Sequence, residues 1–233
     1  MKTAIVTGAS RGIGKAVAIA LAKDGYSVAL LSRNISDLNN VADEIATIGI
    51  HPAIAIQCDV SLKDEVKNAI SELREKWSSL DLLFNNAGVN FAGTADDISP
   101  EDFQKTYSVN VFGVHHLLHF CVPWFKEQKN GAIINLCSIA GNIGFPTGGA
   151  YCSSKFAIKG LNESLHRELE PLGIRVTAIS PSWVNTDMAA HSPVKPEKMI
   201  QPEDIAHTVK YILSLGSNVT IREMLLQCRS DLQ

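Results

Sequence analysis

The sequence predicts an α/β protein: a doubly wound, seven-stranded, mostly parallel sheet with helices on both faces. Three observations carry this. Short β-branched runs alternate with longer amphipathic segments along the whole chain, as parallel strands joined by crossover helices require. The strand runs are continuously apolar, as in strands buried on both faces. A glycine-rich stretch, TGASRGIG (7–14), sits where the first strand gives way to the first helix. At 233 residues the chain can bury one sizeable core, so 1–233 is read as a single domain that binds a dinucleotide and carries the catalytic groups.

Each element has its own signal. TAIVT (3–7) is the first strand, and IGKAVAIALAKDG (13–25) is a helix closed by Gly25. SVALLS (27–32) is the second strand, followed by a helix over 36–48 that ends at Gly49. PAIAIQCDV (52–60) is the third strand, and Ser61 reads as the cap of a helix running to Trp77. LDLLFNNAG (80–88) is a fourth strand entering a loop. A helix from about 100 to 128, broken near its start, precedes the strand GAIINLCS (131–138). A helix from about 150 to 171, the strand RVTAIS (175–180), a helix over 203–214 and the strand VTIREMLLQ (219–227) finish the chain.

Composition excludes several classes. A net charge of -3 and a pI near 6.2 point to neither nucleic acid nor an anionic membrane as partner. No apolar run approaches the ~20 residues that span a bilayer. The N-terminal MKTAIVTGAS turns into glycines too soon for a signal peptide, so a cytoplasmic protein is expected. Cys58, Cys121, Cys137, Cys152 and Cys228 form no C-x-x-C pair and no metal-ligand pattern, and read as free, mostly buried thiols.

Gly8, Gly12 and Gly14 are spaced G-x-x-x-G-x-G at the entrance to a helix. The spacing meets the demands of a pyrophosphate: a tight turn, close backbone approach, and a helix N-terminus with free N–H groups. Together, TGASRGIG, NNAG (85–88), Asn110, Ser138 and YCSSK (151–155), in this order from Thr3 to about Thr186, resemble the motif set of the single-domain short-chain dehydrogenases/reductases, which use the Rossmann fold. The pattern is most similar to the members related to 3-oxoacyl-[acyl-carrier-protein] reductase.

The resemblance implies NADP(H) or NAD(H), and charge argues for the former. NAD users place an acidic residue at the end of the second strand to hold the ribose 2′-OH. Here that strand ends in Ser32 and Arg33, and Arg11 lies inside the glycine loop. Two guanidiniums without a carboxylate suit a 2′-phosphate. Ser10 and Ile13 are expected, by resemblance, to complete the loop's contacts with the cofactor. By resemblance, Asp59 meets the adenine amino group with Val60 beside the ring, and Asn86, Ala87 and Gly88 run along the adenosine ribose. Pro181, Val184 and Thr186 fall where the family holds the nicotinamide carboxamide, although Ser182 stands where the family usually has glycine.

Tyr151 and Lys155 lie four apart, which on a helix puts them on one face, about 6 Å apart along the axis. A free phenol, with a pKa of about 10, exchanges protons poorly near neutrality, and an ammonium beside it favours the phenolate. Such a tyrosine can protonate a carbonyl oxygen as hydride reaches its carbon. Lys155 also has donors to spare for the nicotinamide ribose. Ser138 would hydrogen-bond the substrate oxygen. Asn110 resembles the residue whose backbone positions a water in a proton relay. Cys152 and the serines between Tyr151 and Lys155 are expected as small filler. His115 and His116 read as packing or subunit-contact residues.

A Pro-containing segment, MAAHSPVKPEKMI (188–200), is expected to form a lid. With Asn90, Phe91, Ile139, Asn142, Phe145 and Trp183 it would line a fairly apolar pocket for a small-molecule carbonyl. Three departures weigh against a carrier-protein-bound acyl group in particular: NAGVNFAGT after the fourth strand, Leu172 before Gly173, and an ending without the Gly-Gly common in those tetramers. A homodimer through the helices containing 110–125 and 150–170, or a homotetramer, is expected. The alternative is a catalytically silent nucleotide-binding regulator of the same fold.

Overall fold

The computed structural model describes residues 1–232. Its strands are β1 (Lys2–Thr7), β2 (Tyr26–Ser32), β3 (Ile54–Gln57), β4 (Leu82–Asn85), β5 (Gly131–Leu136), β6 (Ile174–Pro181) and β7 (Glu223–Leu226). They form one sheet in the order β3-β2-β1-β4-β5-β6-β7, and every paired neighbour is parallel. The helices are α1 (Gly12–Lys23), α2 (Ile35–Ile48), α3 (Lys63–Lys76), α4 (Pro100–Tyr107), α5 (Gly113–Gln128), α6 (Gly149–Leu169) and α7 (Pro202–Ser214).

Alternate residues of the strands feed two cores. Ile5, Leu31, Leu83 and Ile133 face α3, α5 and α6, whereas Val6, Leu30, Phe84 and Ile134 face α1, α2 and α7. Burial on both faces is why the strands read as unbroken apolar runs. Chain order reverses between β1 and β4, where β1 continues outward to β2 and β4 to β5. Ligands bind outside the carboxyl ends of such strands, at that reversal.

Several boundaries differ from expectation. β3 and β7 are four residues each, shorter than the apolar runs suggested, because both are sheet edges with one neighbour. Ser61 is not a cap: α3 starts at Lys63 after Leu62, and the Ser61 hydroxyl donates to Asp59 instead (2.7 Å). The break expected near 100–128 is a single π-helical turn, Ser108–Phe112, that joins α4 to α5 without interruption. Among the described residues, no helix is long and apolar enough to cross a membrane, and no cluster of His, Cys, Asp and Glu could hold a metal ion.

A candidate active site at the carboxyl edge of the sheet

The glycine loop leaves β1 as a cradle of main chain. Gly8 has φ +62°, a left-handed conformation that L side chains rarely adopt. A Cβ on Gly14 would stand 2.2 Å from the Gly8 carbonyl oxygen, so this close approach requires glycine. α1 has no side-chain cap, leaving first-turn N–H groups for a ligand. That cradle and uncapped N-terminus fit a pyrophosphate.

The loop is pinned to NNAG through Thr7, which the motif reading missed. The Thr7 hydroxyl accepts hydrogen bonds from the main-chain N–H groups of Asn86 (2.9 Å) and Ala87 (3.0 Å). The Asn86 side chain donates back to the Thr7 carbonyl (2.8 Å) and the Gly8 carbonyl (3.2 Å). The two cofactor motifs are thereby locked across the β1–β4 junction.

Arg33 is exposed at the end of β2, with no carboxylate within ion-pair distance among the described residues. Arg11 differs from expectation: Asp187 lies 3.0 Å from its guanidinium, both side chains about three-quarters exposed. A carboxylate distant in sequence therefore faces the loop, invisible to a reading of the second strand alone. Thr186 closes over the same loop, its Cγ2 lying 3.1 Å from where a Cβ on Gly12 would be. Asp59 follows β3 and accepts from the Ser61 N–H (2.9 Å). Val60 is buried, and its carbonyl lies 3.0 Å from His116 Nδ1, which ties α5 to the segment after β3.

The four candidate catalytic residues converge on this edge. Ser138 follows β5, 8% exposed, and its Oγ opens a 3₁₀ turn by accepting from the Ala140 N–H (3.1 Å). Tyr151 and Lys155 share one face of α6, with the Lys155 ammonium 5.6 Å from the centre of the phenol ring. Lys155 is 6% exposed and donates to the Leu136 carbonyl at the end of β5 (2.9 Å), so burial is offset by a fixed acceptor. Asn110 lies inside the π-helical turn, a feature frequent at functional sites. Its side chain clasps Val89 at both ends, accepting from the N–H (2.8 Å) and donating to the carbonyl (2.9 Å).

Ser154 is not filler. It receives a hydrogen bond from Asn110 Nδ2 (3.0 Å) and donates to the Tyr151 carbonyl (2.7 Å), joining the π-helical turn to the helix of the Tyr–Lys pair. Asn85, Asn135 and Asn162 form a buried ladder that ends on the Arg222 carbonyl of the β7 region. Asparagines set within the apolar strand runs LDLLFNNAG and GAIINLCS were the available signal.

After β6, the Ser182 hydroxyl accepts from the Cys228 N–H (2.8 Å), and the Ser182 N–H donates to the Leu226 carbonyl (2.8 Å). The residue that departs from the motif thus ties this strand end to the C-terminal segment. The lid candidate 188–200 is closed at its base by paired hydrogen bonds, Asn185 N–H to Ile200 and Ile200 N–H to Trp183. Asn142, expected to line the pocket, instead donates to Glu223 (3.2 Å) and receives Lys159. Ile143, Phe145, Trp183 and Met188 leave apolar surface exposed on the segments after β5 and β6.

All five cysteines are buried free thiols. Burial, with Glu65 and Asp59 adding repulsion, pushes the Cys58 thiol up to about 12, and burial raises Cys121 as well. Neither can supply a thiolate nucleophile near neutrality.

Comparison with known proteins agrees with this geometry. Residues 2–196 match the family described as short chain dehydrogenase. A 3-oxoacyl-[acyl-carrier-protein] reductase, FabG, of Staphylococcus aureus is 36% identical over 224 residues, 91% of each chain. An alcohol dehydrogenase from the archaeon Thermococcus sibiricus, complexed with 5-hydroxy-NADP, superposes with a TM-score of 0.92 at 31% identity over 98% of this chain and 97% of that one. A betaketoacyl-[ACP] reductase (FabG) from Bacteroides thetaiotaomicron gives 0.87 at 39% identity over 100% and 99%.

Proposed function

The chain belongs to the short-chain dehydrogenase family, and from that premise we propose that it is an NADP(H)-dependent oxidoreductase that reduces a carbonyl to a secondary alcohol. The observation that carries this reading is the buried Lys155 beside the Tyr151 phenol, with Ser138 and Asn110 on the same sheet edge as the glycine cradle. Bound NADPH would supply the hydride that adds to the carbonyl carbon.

Tyr151 donates its hydroxyl proton to the carbonyl oxygen as the C–H bond forms, so the carbonyl gains one hydride and one proton. Ser138 donates a hydrogen bond to the same oxygen and offsets its developing negative charge. Lys155 is held by Leu136 with two N–H donors left, enough to reach the nicotinamide ribose hydroxyls and to keep positive charge beside the phenol. The π-helical turn at Asn110 offers its main chain to a water that refills the proton. Val184 and Thr186 would hold the nicotinamide carboxamide, with Pro181 beside them.

Arg33 supports the choice of NADP(H): it extends from the end of β2, where an NAD user carries a carboxylate. Arg11 contributes from the loop and shares its charge with Asp187. The exposed apolar side chains around the site favour a ketone without charge near the reacting carbon. The relatives named as 3-oxoacyl reductases support a 3-oxoacyl compound as one candidate. Phe112 and Phe156, exposed on the π-helical turn and α6, support a homodimer or homotetramer packed through these helices.

The test is NADPH oxidation, followed by its near-ultraviolet absorbance, against ketones, 3-oxoacyl thioesters and diketones. Turnover of at least one class is expected. Tight NADPH binding without turnover of any would replace this reading with that of a nucleotide-binding regulator.

A further inference from the structure

We propose that Glu223 is a positioning residue for this reaction, a single carboxylate that sets Ser138 relative to the Tyr151–Lys155 helix; the inference rests on the function proposed above. Glu223 is the first residue of β7, the edge strand farthest from the glycine loop, and touches none of the reacting groups. Its Oε1 accepts from the Ser180 hydroxyl (2.8 Å) and from Asn142 Nδ2 (3.2 Å), and its Oε2 lies 3.2 Å from the Lys159 ammonium. Lys159 also donates to Asn142, closing a ring of three side chains.

Each partner stands next to a catalytic segment. Asn142 ends the 3₁₀ turn that Ser138 opens. Lys159 is one helical turn beyond Lys155, on the same face of α6. Ser180 precedes Pro181, whose carbonyl lies 3.5 Å from Ser138 Oγ. Three segments distant in sequence are thereby referred to one group.

A charged acceptor makes stronger hydrogen bonds than a neutral one, so the ring is stiffer than an amide or hydroxyl would make it. Burial pushes the Glu223 carboxyl up, but the donors Asn142, Ser180 and Lys159 outweigh it and hold the carboxyl below its ordinary range. Proton donor and hydrogen-bond donor must meet one oxygen, and displacement by about 1 Å can cost on the order of 100-fold in rate. A brace that merely secured the edge strand would change unfolding and leave the chemical step alone.

The test compares Glu223→Ala and Glu223→Gln with the parent enzyme, using single-turnover hydride transfer, NADPH affinity, and amide hydrogen exchange over 139–145. Removal to alanine should slow hydride transfer by about 10-fold or more, leave NADPH affinity within about twofold, and speed exchange in that turn. Glutamine keeps an acceptor for Ser180 and Asn142 but loses the charge and the acceptor facing Lys159, so it should recover part of the rate. Hydride transfer within about twofold of the parent in the alanine variant overturns the inference, as does loss of rate and affinity together with glutamine no better than alanine. Should Glu223→Ala not fold, Asn142→Ala cuts the same tie from the other side: at least about fivefold slowing supports the brace, and parent-like transfer overturns it. A parent enzyme that turns over no carbonyl sinks the functional reading alone. Exchange at 139–145, which needs no substrate, then decides the brace: faster exchange in Glu223→Ala supports it, unchanged exchange overturns it.

Discussion

At the nucleotide end of the site the main chain does the holding: Gly8 turns left-handed, Gly14 lets two backbones touch, and Thr7 and Asn86 bind main-chain groups of each other's segments. At the catalytic end side chains do it: Asn110 with Ser154, Lys155 on Leu136, Ser182 with Cys228, and Glu223 with its three donors. A backbone cradle admits few residue types, whereas a side-chain tie can be made by many pairs placed in many ways. The first kind of end therefore tolerates few substitutions, and the second can be built from other pairs. If the two ends are separable, damage to one should spare the other.

The sharpest break is Tyr151→Phe. It removes one hydroxyl from the catalytic end and nothing from the cradle. A fall in kcat of roughly 100-fold to 10,000-fold is expected, the usual worth of a positioned proton donor. NADPH affinity, read from the fluorescence of the bound nucleotide, should stay within about twofold. Substantial residual turnover would remove Tyr151 as the acid.

The complementary break is Arg33→Ala at the nucleotide end. A charge-assisted hydrogen bond is worth about 1.5–3 kcal/mol, so NADPH affinity should fall on the order of 10- to 100-fold while NADH affinity barely moves. kcat at saturating NADPH should hold. Equal losses for the two nucleotides would overturn the 2′-phosphate assignment, whatever Arg11 and Asp187 contribute.

The same asymmetry explains what the sequence could tell. The glycine spacing, the β1–α1 position and the Tyr–Lys register follow from rigid local geometry, and each appears in the structure where the letters put it. Thr7, Ser154 and Glu223 were not legible, because their meaning comes from partners more than forty positions away or from a neighbouring helix. Asn142 reads from the sequence as a pocket-lining residue, but its partners sit on α6 and β7. The overlong β3 and β7 have the same cause: apolar letters do not say which strands end a sheet.

A smaller effect tests the C-terminal tie. Ser182→Ala removes the acceptor of the Cys228 N–H, whose residue is 2% exposed. Leaving a buried N–H unpaired should cost about 1–3 kcal/mol, which for a chain of this size lowers Tm by roughly 2–4 °C per kcal/mol. Because Val184 stands only two residues further on, the KM for NADPH should rise more than the Kd for the 2′-phosphate nucleotide alone. An unchanged Tm would show that water replaces the hydroxyl at that N–H.

The smallest effect, and the one with an ambiguous sign for activity, belongs to Thr147, between Ser138 and Tyr151. Its φ of 64° is left-handed, a conformation costly for a β-branched residue. Its carbonyl accepts from the Gly93 N–H at 2.9 Å, which anchors the loop after β4 to the entrance of α6. Thr147→Gly keeps that bond and removes strain of about 1–2 kcal/mol, offset by about 0.5–1 kcal/mol from the freer unfolded chain. A net gain of up to about 1 kcal/mol is expected in denaturant unfolding. If the strained threonine also holds the substrate side of the loop in place, stability rises while KM for the carbonyl rises with it. If stability rises and KM stays, the catalytic end needs only its side-chain ties, and its loop is as free to vary as the residues that line it.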